Sequence, residues 1–130
     1  MEQLRKALEA KDPVAVEALL AANVVFRSPA LFKPYAGRAA TMVFLRAAMA
    51  TFEDFRYVRT YAEDDGHGHV LMFTASVGGR ELEGADFVSL DDDGLVSEFR
   101  VMIRPMSGLI SLAEAMAPRV EDPLVALNPE

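Results

Sequence analysis

The sequence predicts an α+β domain, helices first and then a curved antiparallel sheet. Three observations carry that prediction. Apolar residues follow helical spacing up to about residue 52, and strand-like runs take over from 54 to 104. Turn signals at 64–68 (DDGHG), 78–79 (GG) and 91–94 (DDDG) divide the second part into four strands. Short connections make those strands antiparallel neighbours, and helices followed by such a meander give an α+β layout. At 130 residues the chain suits one domain. That domain is expected over 1–117, with a C-terminal tail at 118–130.

Each element has its own signal. Leu4, Ala7 and Leu8 give a first helix one apolar face. Asp12 and Pro13 then mark a restart, with Asp12 as N-cap and Pro13 at the first helical position. Val16, Leu19 and Leu20 form the face of that second, short helix. A short strand is expected over 23–29, closed by Pro29, and a loop over 30–37. A third helix runs from 38 to 52, with Met42, Leu45, Met49 and Phe52 on one side. Such a stripe is core spacing. The strands are placed at 54–62, 69–77, 80–90 and 95–104, and Pro105 ends the last. A final helix is expected over 106–117, with Leu109, Leu112, Ala113 and Met116 on one side, before a proline-containing tail.

Composition narrows the function. The net charge is −7, from 13 basic and 20 acidic residues, with no basic stripe for a phosphate backbone, so nucleic acid is excluded as a partner. The absence of cysteine excludes disulfides, thiolate catalysis and cysteine-ligated zinc, and fits a cytoplasmic location. The N-terminal segment is charged and amphipathic rather than a signal peptide. No apolar run approaches the ~20 residues of a membrane span. The acidic clusters 63–65 and 91–93 lie beside glycines and read as solvated turns, because neither alternates as a calcium loop does. His67 and His69 lack a third ligand, so no metal is expected. No phosphate loop, nucleophile elbow or HExxH motif is present, and no cofactor is expected.

The strand 80–90 contains one residue that does not fit its surroundings: Asp86, among apolar neighbours. If Gly78-Gly79 is a two-residue turn, Val77 faces Arg80 and Asp86 faces Leu71. If the 91–94 loop pairs Leu90 with Leu95, Asp86 faces Phe99. Alternation then collects Leu71, Phe73, Ala75, Leu82, Val88, Leu95, Phe99, Val101 and Ile103 on one face, with Ser97 and Asp86. The other face, with Phe87, Met102, Arg100 and Arg104, is mixed. It suits solvent or a second subunit.

Burial would raise the Asp86 pKa, and a neutral carboxyl donates a hydrogen bond to a carbonyl or enolate oxygen. The competing reading is a structural carboxylate held by Arg80, a backbone N–H or a tyrosine. Tyr35, Tyr57 and Tyr61 are the available phenols, and Tyr57 and Tyr61 share parity on a strand whose register the sequence leaves open. Arg27 is a candidate for the pocket mouth. Arg100 and Arg104 are expected to pair with Glu81, Glu83 or Glu98.

The element order itself is informative. A helix, an Asp-Pro helix, a strand ending Ser28-Pro29, a loop carrying YAGRAA, a helix and four long strands resemble the NTF2-like (cystatin-like) superfamily over about residues 3–117. Within it, the chain is similar to SnoaL-like and ketosteroid-isomerase-like proteins. The resemblance implies a cone whose open end is an apolar pocket, and a homodimer through the outer sheet face. Ketosteroid isomerases use a tyrosine, a general-base aspartate and a protonated aspartate. Aligned on Asp12-Pro13, Ser28-Pro29 and Gly94, Asp86 falls on the protonated aspartate, Ser28 on the base and Leu4 on the tyrosine. Limonene-epoxide-hydrolase relatives need a second aspartate where this chain has Val101. SnoaL-type cyclases stay open.

These readings make Asp86 the catalytic residue, as acid or oxyanion partner, and leave the general base without a residue. They place Ser28, Tyr35, Tyr57, Leu71, Phe73, Val88, Phe99, Val101 and Ile103 around a small apolar molecule. The function expected is a cofactor-independent isomerase or cyclase acting on a hydrophobic carbonyl compound. The alternatives are an apolar-ligand binder and a structural dimer whose cone is plugged by Phe26, Leu31 and Phe32.

Overall fold

The structure, a computed structural model, describes the backbone of residues 1–127 and the side chains of residues 1–120. Helix α1 (Glu2–Glu9) buries Leu4, Ala7 and Leu8, as its spacing requires. Lys11 then adopts φ 55, which turns the chain into α2 (Pro13–Ala18). The Asp12 carboxylate accepts from the Ala15 N–H at 3.2 Å, and Pro13 begins the helix where no N–H is needed.

Strand β1 spans Leu20–Arg27, earlier than the expected 23–29. Leu20 is pulled from the helix into the sheet because it pairs with Val96, and the Val96 N–H donates to the Leu19 carbonyl at 2.9 Å. The expected loop at 30–37 contains a two-residue strand, β2 (Tyr35–Ala36), paired with Val25 and Phe26. Helix α3 (Arg38–Thr51) starts after Gly37, whose φ of 101 is glycine territory, and packs against β1.

Four long strands follow: β3 (Glu53–Ala62), β4 (Gly68–Val77), β5 (Arg80–Leu90) and β6 (Val96–Arg104). The six-stranded, unclosed sheet has the order β2-β1-β6-β5-β4-β3. β1 runs parallel to β6, and every other pair is antiparallel. The GG turn sets the β4–β5 register as expected: Val77 faces Arg80, and Leu71 faces Asp86.

The β5–β6 register differs. Asp86 faces Val101 rather than Phe99, and Leu90 faces Val96 rather than Leu95, with an irregularity between Ser89 and Leu90. A two-residue offset returns each side chain to its own face, so Phe99, Val101 and Ile103 still share the face of Asp86. The irregularity turns Val96, not Leu95, into the core.

Helix α4 (Met106–Leu127) runs past its expected end at Ala117. Pro118 removes one backbone N–H from the ladder, yet the apolar row Leu112, Met116, Val120 continues at helical spacing on one side of it. The Arg119 guanidinium fastens this part, donating to the Ala115 carbonyl and the Thr51 hydroxyl, each at 3.0 Å. The last part of the expected tail, 128–130, lies outside the described residues. No helix among the described residues is long and apolar enough to cross a membrane.

Candidate functional site

Between the concave sheet face and helices α3 and α4 lies a cavity of about 310 Å³. This falls at the lower end of the about 300–1,000 Å³ of small-molecule sites. The sheet supplies Tyr57, Phe73, Asp86, Phe99, Val101 and Ile103; α3 supplies Leu45 and Met49, with Phe52 just after its end; α4 supplies Leu109, Leu112 and Met116. Ser28 to Leu31, following β1, close another side. The lining is otherwise almost wholly hydrocarbon. Its ionisable groups are Lys11, Tyr57 and Asp86.

Seven of the residues expected at the site line this cavity: Ser28, Tyr57, Phe73, Asp86, Phe99, Val101 and Ile103. Tyr35, Leu71 and Val88 do not. Leu71 and Val88 share the inner face but are sealed into the core, at 0% and 1% exposure. Tyr35 is buried on β2 with its ring centroid 4.5 Å from that of Phe44. Sequence reasoning missed the aromatic wall of Phe44, Phe52 and Phe55, which depends on how α3 docks. Phe26 and Leu31, expected as plugs, are wall residues around open space, and Phe32 points fully into solvent.

Asp86 is 5% exposed, and its partner is Tyr57. The Tyr57 hydroxyl donates to Asp86 Oδ2 at 2.5 Å. Asp86 Oδ1 has no partner among the described residues. Burial pushes the Asp86 carboxyl from the ordinary 3.8 up to about 7, against the lowering effect of the Tyr57 hydrogen bond. Burial and the neighbouring Asp86 charge hold the Tyr57 hydroxyl well above its ordinary 10.0.

The local structure explains why these two meet. Tyr57 faces Phe73, and Asp86 lies one strand beyond, on β5. The Tyr57 ring is held edge-on by Phe55 at 5.0 Å and Phe73 at 6.1 Å, and its N–H donates to Glu9 Oε2 at 2.8 Å. Gly84 makes room. A Cβ there would stand 2.5 Å from Phe73 Cζ and 2.6 Å from the Met102 carbonyl.

The remaining candidates lie elsewhere. Arg27 points away from the cavity and pairs with Glu98 at 2.7 Å, because it sits one residue out of phase with Phe26. Arg104 pairs with Glu83 at 2.6 Å, and Arg100 with Glu98 at 3.7 Å. His67 and His69 hydrogen-bond the carbonyls of Leu90 and Gly66. Among the described residues no three His, Cys, Asp or Glu side chains gather as a metal site.

A curved, unclosed sheet around a cavity with a buried acid defines the fold class, and comparison with known proteins gives the family. Residues 1–99 match the SnoaL-like domain, and the chain belongs to that family, whose members include isomerases and cyclases. A steroid delta-isomerase from Pseudomonas aeruginosa is 42% identical, with a TM-score of 0.88 over 95% of this chain and 90% of that chain. An uncharacterized protein with a cystatin-like fold from Silicibacter pomeroyi DSS-3 is 28% identical, with a TM-score of 0.89 over 97% and 89%. An NTF2-like protein of unknown function from Cytophaga hutchinsonii shares the fold at 18% identity, with a TM-score of 0.64 over 82% and 88%. Among curated proteins none matches this chain.

Proposed function

We propose that this protein is a cofactor-independent isomerase that binds an apolar unsaturated carbonyl compound and moves a proton along its carbon skeleton. One observation carries the reading: a buried carboxyl in an apolar cavity, with one oxygen held by Tyr57 and the other free. A group that titrates near 7 is populated in both forms at neutral pH, which suits proton transfer in both directions. Asp86 Oδ1 takes a proton from the carbon between carbonyl and double bond. The C–H bond breaks, an O–H bond forms, and the electron pair spreads into a dienolate. The same oxygen then returns the proton to the far end of the conjugated system. Tyr57 keeps its hydrogen bond to Oδ2 and so fixes the carboxyl's direction. The 42% identity to a protein described as a steroid delta-isomerase makes a steroid ketone the first substrate to try.

The test follows absorbance of the conjugated product from a steroid ketone carrying an unconjugated double bond. Asp86→Asn is expected to lower turnover by about 10²–10⁴-fold. Equal turnover by wild type and Asp86→Asn would end the assignment. A second reading, binding without chemistry, is favoured by Asp86 already having a tyrosine partner, as a structural acid would. Tight binding of the ketone without product, weakened in Asp86→Leu, would select it. We also propose a homodimer through the outer sheet face, supported by the exposed Val58, Tyr61 and Met102.

A further inference from the structure

If Asp86 carries the proton, the carbonyl oxygen needs a donor of its own. Tyr57 spends its hydroxyl proton on Asp86 Oδ2, and Lys11, which keeps two N–H donors beyond its 2.7 Å bond to the Phe52 carbonyl, sits in the turn before α2 and not on the sheet that carries Asp86. Ser28 is different. Its Oγ accepts from the Ala30 N–H at 3.0 Å, but its own hydroxyl proton has no acceptor among the described residues. A hydroxyl can accept and donate at once, so this proton is available to the cavity that Ser28 lines.

Position agrees. Phe26 pairs with Phe99 and Arg27 with Arg100 in the parallel β1–β6 ladder, so Ser28 follows at the level of Val101. Asp86 faces Val101 from the other side. Ser28 and Asp86 therefore flank Val101 in one row, two strand spacings of about 4.8 Å apart at the backbone. Both side chains turn to the same cavity. Val101 lines the cavity between them, so a carbonyl compound lying across Val101 would meet both side chains.

Resting on the isomerase reading, we propose that the Ser28 hydroxyl is the donor that stabilises the developing enolate oxygen. This gives Ser28 a catalytic role that needs no basicity, which a serine lacks. It also exchanges the two roles that alignment with ketosteroid isomerases implies: Asp86 becomes the proton carrier and Ser28 the oxygen donor.

The experiment measures kcat and KM on the steroid ketone for wild type, Ser28→Ala, Ser28→Thr and Asp86→Asn. Beside it, binding of a naphthol is measured, whose phenolate mimics the enolate. Losing one such donor is expected to cost about 10²-fold in kcat, with KM changed far less. Ser28→Thr, which keeps the hydroxyl, should recover most of it. Phenolate affinity should fall about tenfold in Ser28→Ala, while the saturated ketone falls less. If Ser28→Ala keeps its kcat while Asp86→Asn loses it, the Ser28 proposal is overturned and the Asp86 reading stands. If Ser28→Ala loses both ligands equally, the residue only shapes the 28–30 turn, and the proposal again fails. If Asp86→Asn retains full turnover, both fall together.

Discussion

The buried acid should be visible in stability before any substrate is found. Asp86 holds its proton up to about pH 7 in the folded chain, against the ordinary 3.8 that an unfolded carboxyl follows. Between those values the native state binds more protons than the unfolded state, so stability falls as pH rises. The contribution is fully present below about pH 4 and gone above about pH 7. At 1.36 kcal/mol per pH unit, a difference of this size corresponds to about 4 kcal/mol. Asp86→Asn cannot titrate. The stability of wild type relative to Asp86→Asn should therefore drop by about 4 kcal/mol between pH 4 and pH 8.5. Chemical denaturation of both proteins at fixed concentration across that range gives the difference, in which other titrating groups cancel. Stopping at pH 8.5 keeps Tyr57 out of the measurement, since its hydroxyl ionises well above 10.0. A difference that stays flat would mean Asp86 ionises as freely in the fold as out of it. Neither role drawn from its burial would then stand.

Three further outcomes follow from the same geometry. Tyr57→Phe removes the one hydrogen bond that lowers the Asp86 pKa. A bond to a charged group is worth about 1.5–3 kcal/mol, so the carboxyl midpoint read by infrared titration should rise by about one to two pH units. An unchanged midpoint would show that the phenol does not hold the ionised form. Gly84→Ala should destabilise the chain by about 1–3 kcal/mol in urea, because the new methyl meets Phe73 and a backbone carbonyl. Wild-type stability there would mean that Phe73 yields without cost. Sedimentation at micromolar concentration should show a dimer that Met102→Glu weakens, and a monomeric wild type would remove the outer-face assembly.

Much of the fold was legible because its signals are local. Asp12-Pro13 caps a helix through its own side chain and ring, and GG at 78–79 sets the whole β4–β5 ladder from two residues. The β5–β6 ladder was misplaced because its register is decided by an irregularity at Ser89–Leu90, which no turn residue announces. The inner face survived the error only because the offset was even. Local spacing puts Leu20 on a helix, whereas its pairing with Val96 joins residues far apart in the chain. The length of α4 was missed for the opposite reason. Pro118 is a local stop signal, overridden by an apolar row that continues against the cavity.

The site shows the same division more sharply. Asp86 stood out in the sequence, since one acid on an apolar face needs an explanation. Its partner did not. Tyr57 and Tyr61 have the same parity, so strict alternation would place both rings on one side of β3. The strand is irregular between Tyr57 and Arg59, and this separates them: Tyr57 faces Phe73 on the inner side, while Tyr61 faces Val70 and is half exposed. One extra residue in a strand thus decides which phenol meets the carboxyl. The chemistry proposed for this cavity therefore depends on a break in the β3 pattern as much as on Asp86 itself.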